Sequence, residues 1–194
     1  FKGARPLPQA SPPKSISIDG FFADWAEVAP EYRDTIGDQA YRNEEHWNPN
    51  FFRYTNTTGR NDLVCQKVSQ DGKNLYFYAR TNLPLTSHTG SNWMLLYLNT
   101  DNNSSTGWQG YDFLINHPVV SSTQTTLEKW ATTGWEVVSN EIRWRKGTHE
   151  LEVAVPRILL NYRNLESAGI LNFKWADNVQ NLNEVLEFTL NGDA

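Results

Sequence analysis

Residues 141–155 read EIRWRKGTHELEVAV, and this stretch decides the fold. Ile142 and Trp144 alternate with Glu141, Arg143 and Arg145. After a Lys146-Gly147 turn, Leu151, Val153 and Val155 alternate with Glu150 and Glu152. A period of two places apolar side chains on one face and charged ones on the other, the pattern of half-buried antiparallel strands. Toward the N-terminus the same reading repeats. Asp71-Gly72-Lys73-Asn74 turns the chain, then Leu75, Phe77 and Ala79 share one face while Tyr76, Tyr78 and Arg80 share the other. Further strands are expected over 15–18, 62–68, 93–99, 111–116, 125–130, 135–138, 171–177 and 186–190. Only 24–27, 156–160 and 164–168 look helical. The run from Trp93 to Leu98 is apolar on both faces and predicts a strand covered from both sides. The chain is therefore read as all-β: an antiparallel β-sandwich, jelly-roll or immunoglobulin-like in its two sheets, with one or two short helices.

With 194 residues the chain is long enough for one well-buried domain. Residues 1–14 hold four of the nine prolines and read as a Pro-rich linker or arm, with residues 15–194 as a single domain. Residues 29–60 are polar, aromatic and turn-rich without a convincing regular element, a length that points to a functional or metal-pinned loop. No internal repeat is apparent. A net charge of −5 and the lack of a basic run argue against a nucleic-acid partner. No apolar stretch approaches the 18 or so residues of a membrane span. The one cysteine, Cys65, excludes an internal disulfide; by parity it joins Leu63 and Lys67 and is read as a small core residue. Eight Trp, eight Tyr and nine Phe exceed what a plain core needs, and sugar-binding surfaces use flat rings with an apolar face beside a polar edge.

The segment 99–116, NTDNNSSTGWQGYDFLIN, concentrates oxygen-bearing side chains between two strands. Asp101, Asn103, Ser105, Trp108 and Asp112 are the candidate ligands of a structural Ca²⁺, with glycines that let main-chain carbonyls turn inward. The competing reading is a long polar hairpin loop, because Asn, Asp, Ser and Gly are also the ordinary turn residues. The spacing is not that of a helix-loop-helix calcium hand, which needs a Glu at the twelfth position. A second acidic stretch, with Asp34, Asp38, Glu44 and Glu45, is read as a solvated loop.

Several phrases taken in order resemble a known family. They are Ile18-Asp19-Gly20 with Asp24-Trp25, Leu75-Tyr76-Phe77-Tyr78 after Asp71-Gly72, Thr106-Gly107-Trp108-Gln109-Gly110-Tyr111-Asp112, Leu151-Glu152-Val153-Ala154-Val155-Pro156-Arg157, and Phe173-Lys174-Trp175-Ala176-Asp177-Asn178. This order resembles the family 9 carbohydrate-binding modules and their DOMON-like β-sandwich relatives over roughly residues 15 to 194. The ending is also similar to the C-terminal module of bacterial proteins that resemble family 71 and 99 glycoside hydrolases. The resemblance implies a sandwich with structural Ca²⁺ at Asp101 and Asp112 and the turn between them. It also implies a loop-end sugar site with Trp108 and Trp175 as aromatic platforms. It further implies a secreted, extracytoplasmic accessory module, monomeric and tethered to a catalytic domain in the same chain, with a polysaccharide or oligosaccharide as partner.

The residues give their own weighting. Trp175 shares parity with Leu171 and Phe173, which favours the core, while its place at a strand end keeps the platform role open. Beyond it, Asp177, Asn178 and Gln180 would supply the hydrogen bonds that sugar hydroxyls require. Trp108 lies in a polar, Gly-flanked loop; Trp47 lies in the irregular segment; Trp130 shares parity with Thr126 and Glu128 and is expected to face outward. Catalysis is not expected. Glu150 and Glu152 lie on a polar strand face where solvation explains them, and His46, His88, His117 and His149 are scattered. A haem reading through Met94 yields to a core role. The alternative to sugar binding is a structural domain whose outward Tyr76, Tyr78 and Trp130 form one patch covered by a catalytic neighbour.

Overall fold

The structure is a computed structural model that describes residues 9–37, 42–45, 53–56, 58–90, 92–161 and 171–178. Trp47, Gln180 and the segments 164–168 and 186–190 lie outside the described residues. The strands are β1 (Tyr32–Arg33), β2 (Arg42–Glu45), β3 (Arg53–Asn56), β4 (Leu63–Gln70), β5 (Asn74–Thr81), β6 (Leu95–Asn99), β7 (Phe113–Val119), β8 (Gln124–Trp130), β9 (Trp135–Lys146), β10 (Glu150–Pro156) and β11 (Asn172–Ala176). Two short 3₁₀ turns, Phe22–Glu27 and Arg157–Leu160, are the helical elements among the described residues. The all-β antiparallel reading is what the structure shows. The segment 29–60, expected to lack regular structure, contributes β1, β2 and β3, with β2 and β3 forming a hairpin of their own.

Nine strands form one antiparallel sheet in the order β1-β4-β5-β10-β9-β8-β7-β6-β11. On a flat sheet, strands spaced about 4.8 Å apart would put β5 and β11 about 29 Å from one another. Yet Phe77 on β5 and Phe173 on β11 meet edge to face at 5.6 Å, and Tyr32 on β1 lies 5.7 Å from the same ring. The sheet therefore doubles over on itself. The two expected sheets are two halves of one hydrogen-bonded sheet.

The fold-over runs through β9. Its last residues, Arg143–Lys146, pair with β10, while Trp135 to Arg143 pair with β8 through two register shifts. Bulges of this kind sharpen local twist and let one strand pass between layers. Sequence reading splits β9 into two strands at Ser139-Asn140, where the polar pair resembles a turn.

Between the halves lies the main core. It takes Leu75, Phe77 and Ala79 from β5 and Leu151, Val153 and Val155 from β10; against them pack Leu96, Leu98, Ile115, Leu127, Trp144 and Trp175. These are the faces that the period-two pattern assigns. Burying each such side chain contributes roughly 1.5–3 kcal/mol.

A second core covers the outside of the β4-β5-β10 layer. Ile16, Ile18, Trp25 and Val28 from the N-terminal segment pack on Cys65, Tyr76, Tyr78 and Ala154. Two sequence expectations are corrected here. Tyr76 and Tyr78 are buried under the chain's own N-terminal segment, so they form no patch for a neighbour. Glu152 is not solvated but 0% exposed. Its carboxylate accepts hydrogen bonds from the Asp19 and Gly20 N–H groups and from the Trp25 indole N–H, all at 2.9–3.0 Å. Cys65 is buried as expected but on the opposite side from Leu63, because a bulge between them inverts the parity. The cover extends into the proposed arm: Ser11 exchanges hydrogen bonds with Ala29, and the Lys14 ammonium donates to the Asp24 carbonyl at 2.7 Å.

Candidate functional site

The outer face of the other layer carries the candidate residues, and β11 sets their spacing. β6 pairs with β11 from Asn99–Asn172 to Leu95–Ala176. The segment 100–112 therefore stands at one end of these strands, and Asn178 stands at the other. Five residues of strand separate the two ends by about 16 Å. Trp108, a platform implied by the resemblance, and Asn178, read from its place after Trp175 as a hydrogen-bonding neighbour, do not come together.

At the first end the oxygen-rich loop is closed by its own donors. Asp101 accepts hydrogen bonds from the Asn103 N–H at 2.9 Å and the Thr106 hydroxyl at 2.8 Å. The Asn103 side-chain oxygen accepts the Ser105 N–H at 3.0 Å. Asp112 accepts both the N–H and the hydroxyl of Thr100, at 2.7 and 3.0 Å. The Trp108 carbonyl accepts the Tyr111 N–H at 2.9 Å. These contacts are successive Asx turns, the local hydrogen bonding that Asn, Asp, Ser and Thr make in turns. Among the described residues no three His, Cys, Asp or Glu side chains gather as a metal site.

Beside this loop lies an aromatic cluster. Trp108 stacks on Tyr97 at 5.7 Å with 23° between the planes. Tyr111 lies 5.4 Å from Tyr97, Trp135 lies 6.0 Å from Trp108, and Trp130 meets Trp135 edge-on at 5.3 Å. Tyr97 is buried, whereas Trp108, Tyr111, Trp130 and Trp135 are half-exposed. The stacking explains Trp108: a loop indole is held over a strand tyrosine by the tight Trp108–Tyr111 bridge. Burial raises the Tyr97 and Tyr111 hydroxyls above the ordinary phenol range, so both stay neutral donors. Trp130 faces outward, as expected, yet Thr126 and Glu128 on its parity are buried.

The second end is built from a network of strained backbone. Asn92, Met94, Asn116 and Asn178 all have left-handed φ values, between 43° and 68°. Asn tolerates that region; methionine does so at a cost and must be held there. The holding groups are visible. Asp177, 0% exposed, accepts the Met94 N–H at 2.8 Å and the Arg60 guanidinium at 2.9 Å, and the Asn116 amide donates to the Met94 carbonyl at 2.7 Å. Burial pushes the Asp177 carboxyl up, against the opposing pull of Arg60 and the Met94 N–H. The Asn178 N–H donates to the Asn92 carbonyl at 3.1 Å, and its amide donates to Thr58. Asn178 thus closes a turn and holds backbone.

Trp175, the other proposed platform, is 0% exposed in the main core. Its ring presents no face to a ligand, and the core reading of its parity is the one the structure follows. In front of the strained network opens a cleft of about 360 Å³ lined by His88, Trp93, Asn116, His117, Pro118 and Val119, among others. Sequence reading passed over it, because its two histidines are far apart in the chain. The available signal was local: Asn92 before β6 and Asn116 and Pro118 within β7 are turn-type residues set beside apolar strands. Trp135 was likewise read only as the start of a strand. The chain matches no family model, no curated protein and no solved structure, and its function is read from the chemistry of these two ends.

Proposed function

We propose that the protein is a non-catalytic carbohydrate-binding module whose glycan lies on the aromatic surface formed by Trp108, Tyr111, Trp130 and Trp135. One observation carries this reading: the half-exposed rings of Trp108, Trp135 and Trp130 touch in series, and Tyr111 joins them through the buried Tyr97, beside an exposed Asn/Ser/Thr loop. Ring faces pack against the C–H faces of a sugar, and neighbouring amides and hydroxyls pair with its hydroxyl groups. The buried Tyr97 beneath Trp108 keeps that indole in place before a ligand arrives, which lowers the ordering cost of binding. Each ring contact contributes about 0.5–1.5 kcal/mol beyond area burial, so a few of them give micromolar-to-millimolar affinity.

Affinity electrophoresis against a panel of soluble polysaccharides tests the reading. Retardation by one glycan class is expected, weakened about 2–13-fold by Trp108→Ala or Trp130→Ala. A folded protein that no glycan retards overturns it.

A further inference from the structure

At the opposite end of the sheet, the cleft between the start of β6 and the end of β7 has the features of a second ligand site. Two of its lining residues are buried and carry polar atoms with no hydrogen-bond partner. Trp93 is 1% exposed and its indole N–H has no acceptor; Asn116 is 3% exposed and its side-chain oxygen has no donor. The Asn116 amide nitrogen donates to the Met94 carbonyl, which fixes which end of the amide is the unpaired acceptor. Native proteins leave few buried polar atoms unpaired, and those that exist call for an explanation such as a ligand or water.

The imidazoles sharpen the chemistry. His117 Nδ1 lies 2.9 Å from the Glu128 carboxylate, whose side chain is only 7% exposed. A carboxylate accepts only, so in the neutral ring Nδ1 carries the proton and Nε2 is an acceptor. His88, packed edge-on to Trp93 at 6.3 Å and Trp144 at 5.5 Å, adds a second imidazole to the wall. The residues lining the cleft thus carry one unpaired N–H donor, one unpaired amide acceptor and two imidazoles. An anion would meet the amide acceptor, and a metal ion would meet the indole N–H. A hydroxyl group accepts from the indole and donates to the amide or imidazole in one step. The volume stands at the small end of the range for small-molecule clefts.

We propose that this cleft binds a single neutral sugar unit through its vicinal hydroxyls. The site is separate from the aromatic surface and independent of it. Left-handed backbone at Asn92, Met94 and Asn116 holds its walls, as expected where strain is kept for a function.

The test is a ¹H–¹⁵N titration of the whole chain with D-glucose, D-galactose, D-mannose and D-xylose, and with glycerol as the control for bulk polyol. The Trp93 indole N–H, identified by its loss in Trp93→Phe, and the amides of residues 88–90, 116, 117 and 119 are followed. Saturable shifts with at least one sugar at millimolar concentration are expected, with affinity weakened about fivefold or more in His117→Gln. Because His117 is partly exposed, that variant keeps the test valid if Trp93→Phe fails to fold. Shifts that stay linear and match glycerol show a cleft filled by water alone and overturn the proposal, as does loss of the shifts in Trp108→Ala. Saturable cleft shifts in a protein that no polysaccharide retards would remove the aromatic-surface reading and leave this one standing.

Discussion

Single residues in this protein show burial overruling parity. Lys174 alternates away from Trp175, as its sequence position implies, but the face it reaches is covered and it is 8% exposed. Burial lowers its ammonium from the ordinary 10.5 to about 8, with Asp34 pulling weakly the other way. Between those values the unfolded chain holds the proton and the folded chain does not, so this group makes stability rise with pH over that window. Below about 8 the fold carries a buried ammonium. Lys174→Met is therefore expected to remove this group's rise in stability between pH 7 and pH 10. Urea titrations at the two pH values check this; a variant destabilised equally at both refutes it. Glu152 and Cys65 belong with Lys174. Burial raises the Glu152 carboxyl despite its three donors and pushes the Cys65 thiol up to about 11, which leaves the thiol protonated and unreactive at neutral pH. None of these environments was legible locally, since each depends on what lies over a strand face.

At the scale of elements, period two assigned β5, β10 and the end of β9 to their correct faces. It failed where a bulge inserted a residue, between Leu63 and Cys65, and where one long strand crossed between layers at β9. The loop that carries Trp108 is decided by one glycine. Gly107 has a φ of 67°, and a Cβ there would run into the Tyr111 carbonyl. Gly107→Ala is expected to open the Trp108–Tyr111 bridge and to cost about 1–3 kcal/mol of stability. It should also lift Trp108 off Tyr97, so glycan retardation falls at least as far as in Trp108→Ala. Thermal melts and the electrophoresis assay together read both effects. Unchanged binding with unchanged stability would show that the stack is not needed. The loop's Asx turns were legible as turn chemistry, and which N–H groups their oxygens accept was not.

Over the whole molecule, one sheet doubles over on itself and one of its outer faces is closed by a cover. The N-terminal segment is part of that closure. Ile16 and Ile18 are buried on Tyr76 and Tyr78, with the Trp25 ring tilted against Tyr78 at 5.2 Å. Ile16→Ala and Ile18→Ala are each expected to cost about 2–4 kcal/mol in urea unfolding, as core truncations do. Neutral substitutions would mean that the segment is a detachable arm. Among the described residues no helix is long and apolar enough to cross a membrane.

By itself, the sequence determined the all-β class, the alternation of β5, β10 and the end of β9, most turns and the surplus of aromatic rings, because these follow from period two and from local backbone preferences. Tertiary structure alone decided the rest. Trp175 at a strand end and Trp108 in a polar loop were both candidate platforms, but one is sealed in the core and the other lies half-exposed on a tyrosine. His88 and His117 line one cleft because β6 and β7 pair, not because of any spacing in the chain. A residue's parity is local, but what covers its face is settled by contacts between residues more than a hundred positions apart. Glu152 beneath Asp19, Gly20 and Trp25 is the plainest case.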